Sequence, residues 1–187
     1  LFHAMPAQVE ETEDGVRVVL CTKTGQETVR TRILVDASGD ATAVGMAGYP
    51  LVEPRSRQPG TLMLALSGYE FDRLDRPALE QAFHQAVDAG ELDARDQTFV
   101  RHQIVSFLRA RGDNATHIID VDGRTSAGRS AAELDTRVSL VRIYRFLRRQ
   151  PGLERLQIDF MAPECGIRET VTIQGEAVVT GDDYKSG

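Results

Sequence analysis

Residues 16–21, Val-Arg-Val-Val-Leu-Cys, are β-branched and partly alternate apolar with polar, the pattern of a strand. Thr24-Gly25-Gln26 supplies a turn, and a second such run from Thr28 to Val35 completes a β-hairpin. That run ends as Ile33-Leu34-Val35 with no polar alternation, which predicts a strand buried on both faces, as in a parallel sheet. Asp36-Ala37-Ser38-Gly39-Asp40 follows directly as a tight turn of small residues, with a short helix after it. Pro50, Pro54 and Pro59 then interrupt the chain and place a crossover into a second lobe at about 50–60.

The second lobe opens with Thr61–Ser67, short and apolar enough for a buried strand. Asp75 caps a helix with Pro77 in its first turn; Leu79, Phe83, Ala86 and Val87 share one face, and Gly90 stops it. Phe99–Arg109 and Thr116–Val121 flank Arg111-Gly112-Asp113-Asn114, which predicts a hairpin turn between them. Ser130-Ala131-Ala132-Glu133 is a capping box opening a helix of about twenty residues that ends before Pro151-Gly152. Leu134, Val138, Val141, Tyr144 and Leu147 or Arg148 follow helical spacing as its expected face, while Arg137, Arg142, Arg145, Arg148 and Arg149 form a solvated face. Leu156, Ile158 and Phe160 alternate as another strand, and Thr170–Thr180 is β-rich, with no terminating element expected before Gly187.

The 187 residues allow a true core, and 41% hydrophobic with 27% charged residues excludes a disordered tail. No apolar run approaches the ~20 residues that a bilayer requires. A net charge of −6 argues against nucleic acid, because an acidic chain repels a phosphate backbone. Residues 1–15 have neither the basic nor the apolar region of a targeting signal, and Cys21 and Cys165 lie far apart, so a reducing, cytoplasmic setting is expected. Asn114-Ala115-Thr116 has the form of a glycosylation sequon but without a secretory signal reads as chance. His3, His84, His102 and His117 have no neighbours at metal-ligand spacing, so no metal is expected.

A glycine in the turn after a strand lets backbone approach a ligand, and the small residues beside it leave room. Gly39, Gly45 and Gly48 do not have the G-x-G-x-x-G spacing of a phosphate fingerprint. Read with two later segments, the turn becomes more specific. Ile33–Asp40 resembles the "DATGD" segment of FAD-dependent oxidoreductases of the glutathione-reductase-type, fumarate-reductase-like superfamily. Gln58–Met63 with Leu66-Ser67-Gly68 is similar to the segment that opens the second domain in one bacterial branch, and Gly166–Thr170 with Ile173, Gly175 and Glu176 resembles that branch's "GVRES…IVGE" segment. The three occur in the same order over nearly the whole chain.

The resemblance implies an α+β fold: the end of an α/β FAD-binding domain (residues 1–50), a mixed-sheet second, substrate domain (51–165) and a return segment (166–187). It implies FAD as cofactor and a small-molecule substrate, with Ala37, Ser38, Gly39 and Asp40 beside the cofactor and Asp40 near its ribose and pyrophosphate. Arg168 and Glu169 would face flavin or substrate, the guanidinium orienting a carboxylate or stabilising negative charge; the alternative is a structural Arg168–Glu169 ion pair. Ser38 replaces the usual Thr, and Val171 and Thr172 stand where the family usually has two arginines. The family's first G-x-G-x-x-G turn and its last flavin-contacting segment are not found in these residues, so the chain is expected to be an internal piece of a longer flavoprotein that holds FAD weakly or not at all by itself.

Two other readings compete. One is a non-catalytic interaction domain derived from this scaffold. The other starts from Ile118-Ile119-Asp120-Val121-Asp122-Gly123, which resembles the first motif of haloacid-dehalogenase-type phosphatases, with Asp182 and Asp183 as a later acidic pair; Arg124 stands where that family has Thr or Val. Cys165, close to Arg168, is read either as a thiol of lowered pKa or as a buried structural one.

Overall fold

The computed structural model describes all 187 residues and divides them into two compact units, Leu1–Arg55 with Thr170–Gly187, and Ser56–Glu169. Along the chain the first unit holds β1 (Met5–Thr12), β2 (Gly15–Thr22), β3 (Gly25–Thr31), α1 (Thr42–Met46) and β4 (Leu51–Val52). The second holds β5 (Leu64–Ser67), α2 (Arg76–Asp88), α3 (Ala94–Phe99), α4 (Ile104–Arg109), β6 (Gly112–Asp113), α5 (Ser126–Leu147) and β7 (Gln157–Met161). The chain then returns to the first unit through β8 (Thr172–Ile173) and α6 (Gly181–Ser186). The class is α+β, with small antiparallel sheets and helices in separate runs.

In the first unit, β1, β2 and β3 form an antiparallel meander in which Val9 faces Val18 and Val18 faces Val29 across the strands. The predicted hairpin is the β2–β3 pair, and β1 is an element the hydropathy pattern missed. Gly15, at φ +141°, sits where a Cβ would come within 2.3 Å of the Thr31 carbonyl oxygen, so the first turn accepts no larger residue. The expected buried strand at Ile33-Leu34-Val35 is not formed: these residues are exposed, Ile33 at 79% and Val35 at 80%, because no strand of the chain offers them a ladder. The β-rich stretch after Thr170 shrinks to β8, paired antiparallel with β4, and the chain does carry a terminating element in α6, whose capping box joins Thr180 and Asp183.

The second unit places the sheet β6-β5-β7 against its helices. Leu62, Leu64, Phe83, Ile104, Phe107, Ile143 and Leu156 are almost completely buried in one cluster. The hydroxyl of Thr116 accepts from the Leu62 amide at 3.0 Å and donates to the Leu62 carbonyl at 2.9 Å, standing in for a neighbouring strand just where β5 begins. The α2 expectation holds in detail: Asp75 accepts from the Ala78 amide at 3.1 Å, Leu79, Phe83 and Ala86 are buried, and Gly90 at φ +73° follows the end.

Two elements differ from the sequence reading. Residues 104–109 are helical, because Ile104, Phe107 and Leu108 lie at i, i+3 and i+4 and bury together, so the predicted hairpin dissolves and Gly112–Asp113 pairs instead with Leu64–Ala65 of β5. Helix α5 begins four residues before Ser130, capped by Thr125, whose hydroxyl accepts from the Gly128 amide at 3.0 Å. Its buried face is Ala132, Thr136, Ser139, Leu140, Ile143, Phe146 and Leu147, while Leu134, Val138 and Val141 point outward. Small and hydroxylated residues take the inner face because Thr136 donates to the Ala132 carbonyl and Ser139 to Asp96, which removes the cost of burying them. The arginine face is not wholly solvated either: Arg142 donates from Nε and Nη2 to Asp96 at 2.8 and 2.6 Å, and Asp96 is fully buried. In β7, Leu156 just before the strand is buried, but Ile158 and Phe160 are exposed.

Candidate functional site

Two groups of sequence-predicted residues lie in different units, Ala37–Asp40 in the first and Arg168 and Glu169 in the second. In the first, Ala41 precedes α1 in left-handed conformation (φ +52°) and offers no side chain to cap it. The turn caps the helix from a distance. Ser38 Oγ accepts from the Thr42 amide at 2.9 Å, and Asp36 Oδ2 accepts from the Val44 amide at 3.1 Å. Asp36 also accepts from the Ser38 amide at 2.9 Å, and these hydrogen bonds, first from Ser38 and then from Val44, hold its carboxyl below the usual aspartate range. Asp40 Oδ1 accepts from the Thr170 hydroxyl at 2.9 Å, which ties the turn to the returning chain.

With the polar side chains directed to these tasks, the turn exposes Ala37, Ser38 and Gly39. Gly39 is at φ +82°, and a Cβ there would meet nothing within 4 Å. The glycine is therefore required by backbone conformation, and the space before it is open. An exposed backbone with little side-chain bulk suits close approach by a large planar or phosphorylated group.

In the second unit, Gly60 and Thr61 are bridged on one side by Ile118 and on the other by Gly166, through reciprocal amide–carbonyl pairs of 2.7–2.9 Å. These bridges bring Arg168 over residues far away in the chain: its Nη2 lies 3.2 Å from Asn114 Oδ1 and 3.5 Å from Thr61 Oγ. Both partners are neutral side chains. Glu169 points elsewhere and accepts from the Gln58 amide at 2.8 Å and from Gln58 Nε2 at 2.9 Å. The two residues thus do not form the Arg168–Glu169 ion pair weighed on sequence grounds; each is engaged by different neighbours. Asn114, set aside as part of a chance sequon, and Gln58 are the neighbours that sequence reasoning missed. Cys165 is buried, and burial first, then the hydrogen-bonded Glu133, push its thiol up to about 11, which makes it a structural thiol.

Asp122 is engaged by Arg124 at 2.8 Å, residues 118–123 form no strand, and the residues of the chain offer no group of three ligands for a metal ion. His84 hydrogen-bonds Gln97 through Nδ1 at 2.9 Å, and His117 is held below the usual histidine range by burial and then by Arg101 and Arg168. No helix is long and apolar enough to cross a membrane.

The first unit of this α+β chain thus carries a turn of small residues that caps α1, and the second an arginine set between neutral partners. The model of the FAD dependent oxidoreductase family matches residues 1–187, and the chain belongs to that family, whose parent members bind FAD. Comparison with curated proteins and with solved structures finds no match.

Proposed function

We propose that the chain is an internal part of an FAD-dependent oxidoreductase of the glutathione-reductase-type, fumarate-reductase-like superfamily, and that the whole enzyme moves hydride between a small organic substrate and the flavin. Its domains in this reading are 1–50, 51–165 and 166–187, and a reducing, cytoplasmic setting agrees with Cys21 and Cys165 both being free thiols. The observation that carries the proposal is the open face of the turn: Ala37, Ser38 and Gly39 present bare backbone while Asp36 and Asp40 brace it from behind. The exposed run Ile33-Leu34-Val35 supports it too, as the edge of a larger sheet would cover those side chains.

These residues suit one wall of an FAD site. Ala37, Ser38 and Gly39 would hold the cofactor by main-chain contact, and Asp40 would stand at its ribose and pyrophosphate end. FAD, when bound, supplies the two-electron acceptor. Arg168 would orient a substrate carboxylate, its fork partly fixed by Asn114, and Glu169 would set the Gly60–Thr61 segment by clamping Gln58.

The test uses Ala37→Leu in the enzyme produced from the full reading frame. Ala37 is exposed here, so added bulk has room in the protein and obstructs only a ligand. Loss of flavin absorbance with an unchanged circular-dichroism melt is expected; Asp40→Ala, which also cuts the bond to Thr170, is expected to lose flavin with a lowered melt. Flavin content equal to wild type in both variants removes the turn from the cofactor site.

A further inference from the structure

Helix α5, the end of α3 and the segment 117–122 enclose a cavity of about 300 Å³ that lies wholly within the second unit. This is the lower end of the range for small-molecule sites. Phe99, Ile118, Val121, Ala131 and Ala132 give it an apolar body. The lining carries one arginine, Arg95, which also pairs with Asp93 at 3.3 Å, against three carboxylates, Asp120, Asp122 and Asp135. Asp135 is taken by Arg95 at 3.4 Å and Asp122 by Arg124 at 2.8 Å. Asp120 has no such partner, and its backbone is held at φ +55°, a conformation that costs a non-glycine residue energy and that persists where the surroundings enforce it. Burial, and after it Arg101 and Arg168, hold His117 in the lining below the usual histidine range.

We infer that this cavity is a binding site for a small organic cation, a primary amine on a compact apolar body. The ammonium pairs with the Asp120 carboxylate at the rim, and the apolar part lies against Phe99 and Ile118 inside. An anion of the same size would meet the surplus of carboxylates, and a neutral molecule would gain no charge pairing from the exposed Asp120. The inference shares no residue with the flavin reading, which rests on Ala37–Asp40, Arg168 and Glu169, none of which lines this cavity.

The experiment titrates 2-phenylethylamine into the isotope-labelled 187-residue chain and follows its NMR spectrum, with phenylacetate and 2-phenylethanol as probes of the same body. The amine is expected to move the resonances of Phe99, His117 and Ala131 and to bind more tightly than either control. Asp120→Asn, a residue that tolerates positive φ, is expected to weaken the amine by at least about tenfold and leave the alcohol unaffected. Ala131→Phe, at an exposed helical position on the rim, is expected to abolish binding with the fold intact. No shifts, shifts that map elsewhere, a control that binds as well as the amine, or an Asp120→Asn variant with wild-type affinity overturns the inference.

Discussion

In Leu1–Arg55 with Thr170–Gly187 the buried apolar side chains are Val9 and Val18, whereas Ser56–Glu169 closes Leu62, Phe83, Ile104, Ile143 and Leu156 completely away from water. The first unit is held by strand ladders and by side chains that cap backbone; the second is held by a packed core. The unit with the candidate cofactor turn is thus the one with less apolar burial of its own, and two of its exposed aliphatic residues, Ile33 and Val35, adjoin that turn. Regions that must accept a ligand or another layer leave apolar surface uncovered, and independent stability is the cost.

The largest effect that would test this contrast is in the core. Phe83→Ala should destabilise the second unit by about 3–5 kcal/mol, while Val18→Ala should cost the first about 1–2 kcal/mol. Denaturant unfolding followed by resonances from each unit measures both, and a larger loss for Val18→Ala would break the comparison. Next comes the buried pair. Arg142→Ala leaves the fully buried Asp96 without its main partner and should cost about 3 kcal/mol, with part of it recovered when Asp96→Ala is added. An effect below about 0.5 kcal/mol would return Arg142 to the solvated surface.

In the first unit the expected losses are smaller. Asp36→Ala removes a distant cap and should cost about 1 kcal/mol, seen as faster amide exchange at Val44. Folding lowers the Asp36 pKa below its ordinary 3.8, so this stabilisation is present above that pH and fades as pH falls through the lower folded value. Protection at Val44 that stays constant through this acid range would deny the carboxylate its role. The smallest effect sharpens the reading of α5: Leu134→Lys should change stability by less than about 0.5 kcal/mol because Leu134 faces outward, whereas a loss of 2 kcal/mol or more would restore it to the core.

Elements whose signals lie next to one another in the chain were legible from sequence. Asp75, Pro77, the Leu79–Phe83–Ala86 stripe and Gly90 define α2 locally, and the structure follows them. The Asp36–Asp40 turn was found for the same reason, although the capping duties of Asp36 and Ser38 were not, because Ala41 had to be seen in left-handed conformation first. Helix α5 was found and Leu147 and Tyr144 do turn inward, but Leu134, Val138 and Val141 face outward, since a hydropathy pattern scores Thr136 and Ser139 as polar and cannot see that their hydroxyls are satisfied. The setting of Arg168 was out of reach. Asn114 and Thr61 come near it only through bridges that join residues 60–61 to 118 and 166, and no local spacing encodes those.

Thr116 is the clearest instance of a sequence letter that hides its task. One hydroxyl gives Leu62 both the donor and the acceptor that a neighbouring strand residue would have given, and backbone pairing resumes beyond it at Gly60 and Ile118. A valine has nearly the same shape and would fill the same space, yet it would orphan a buried amide and carbonyl together; only serine among the smaller residues retains both bonds. For anyone redesigning this chain, position 116 is a grammatical mark, read by the backbone two segments away, and is to be copied before the core around it is varied.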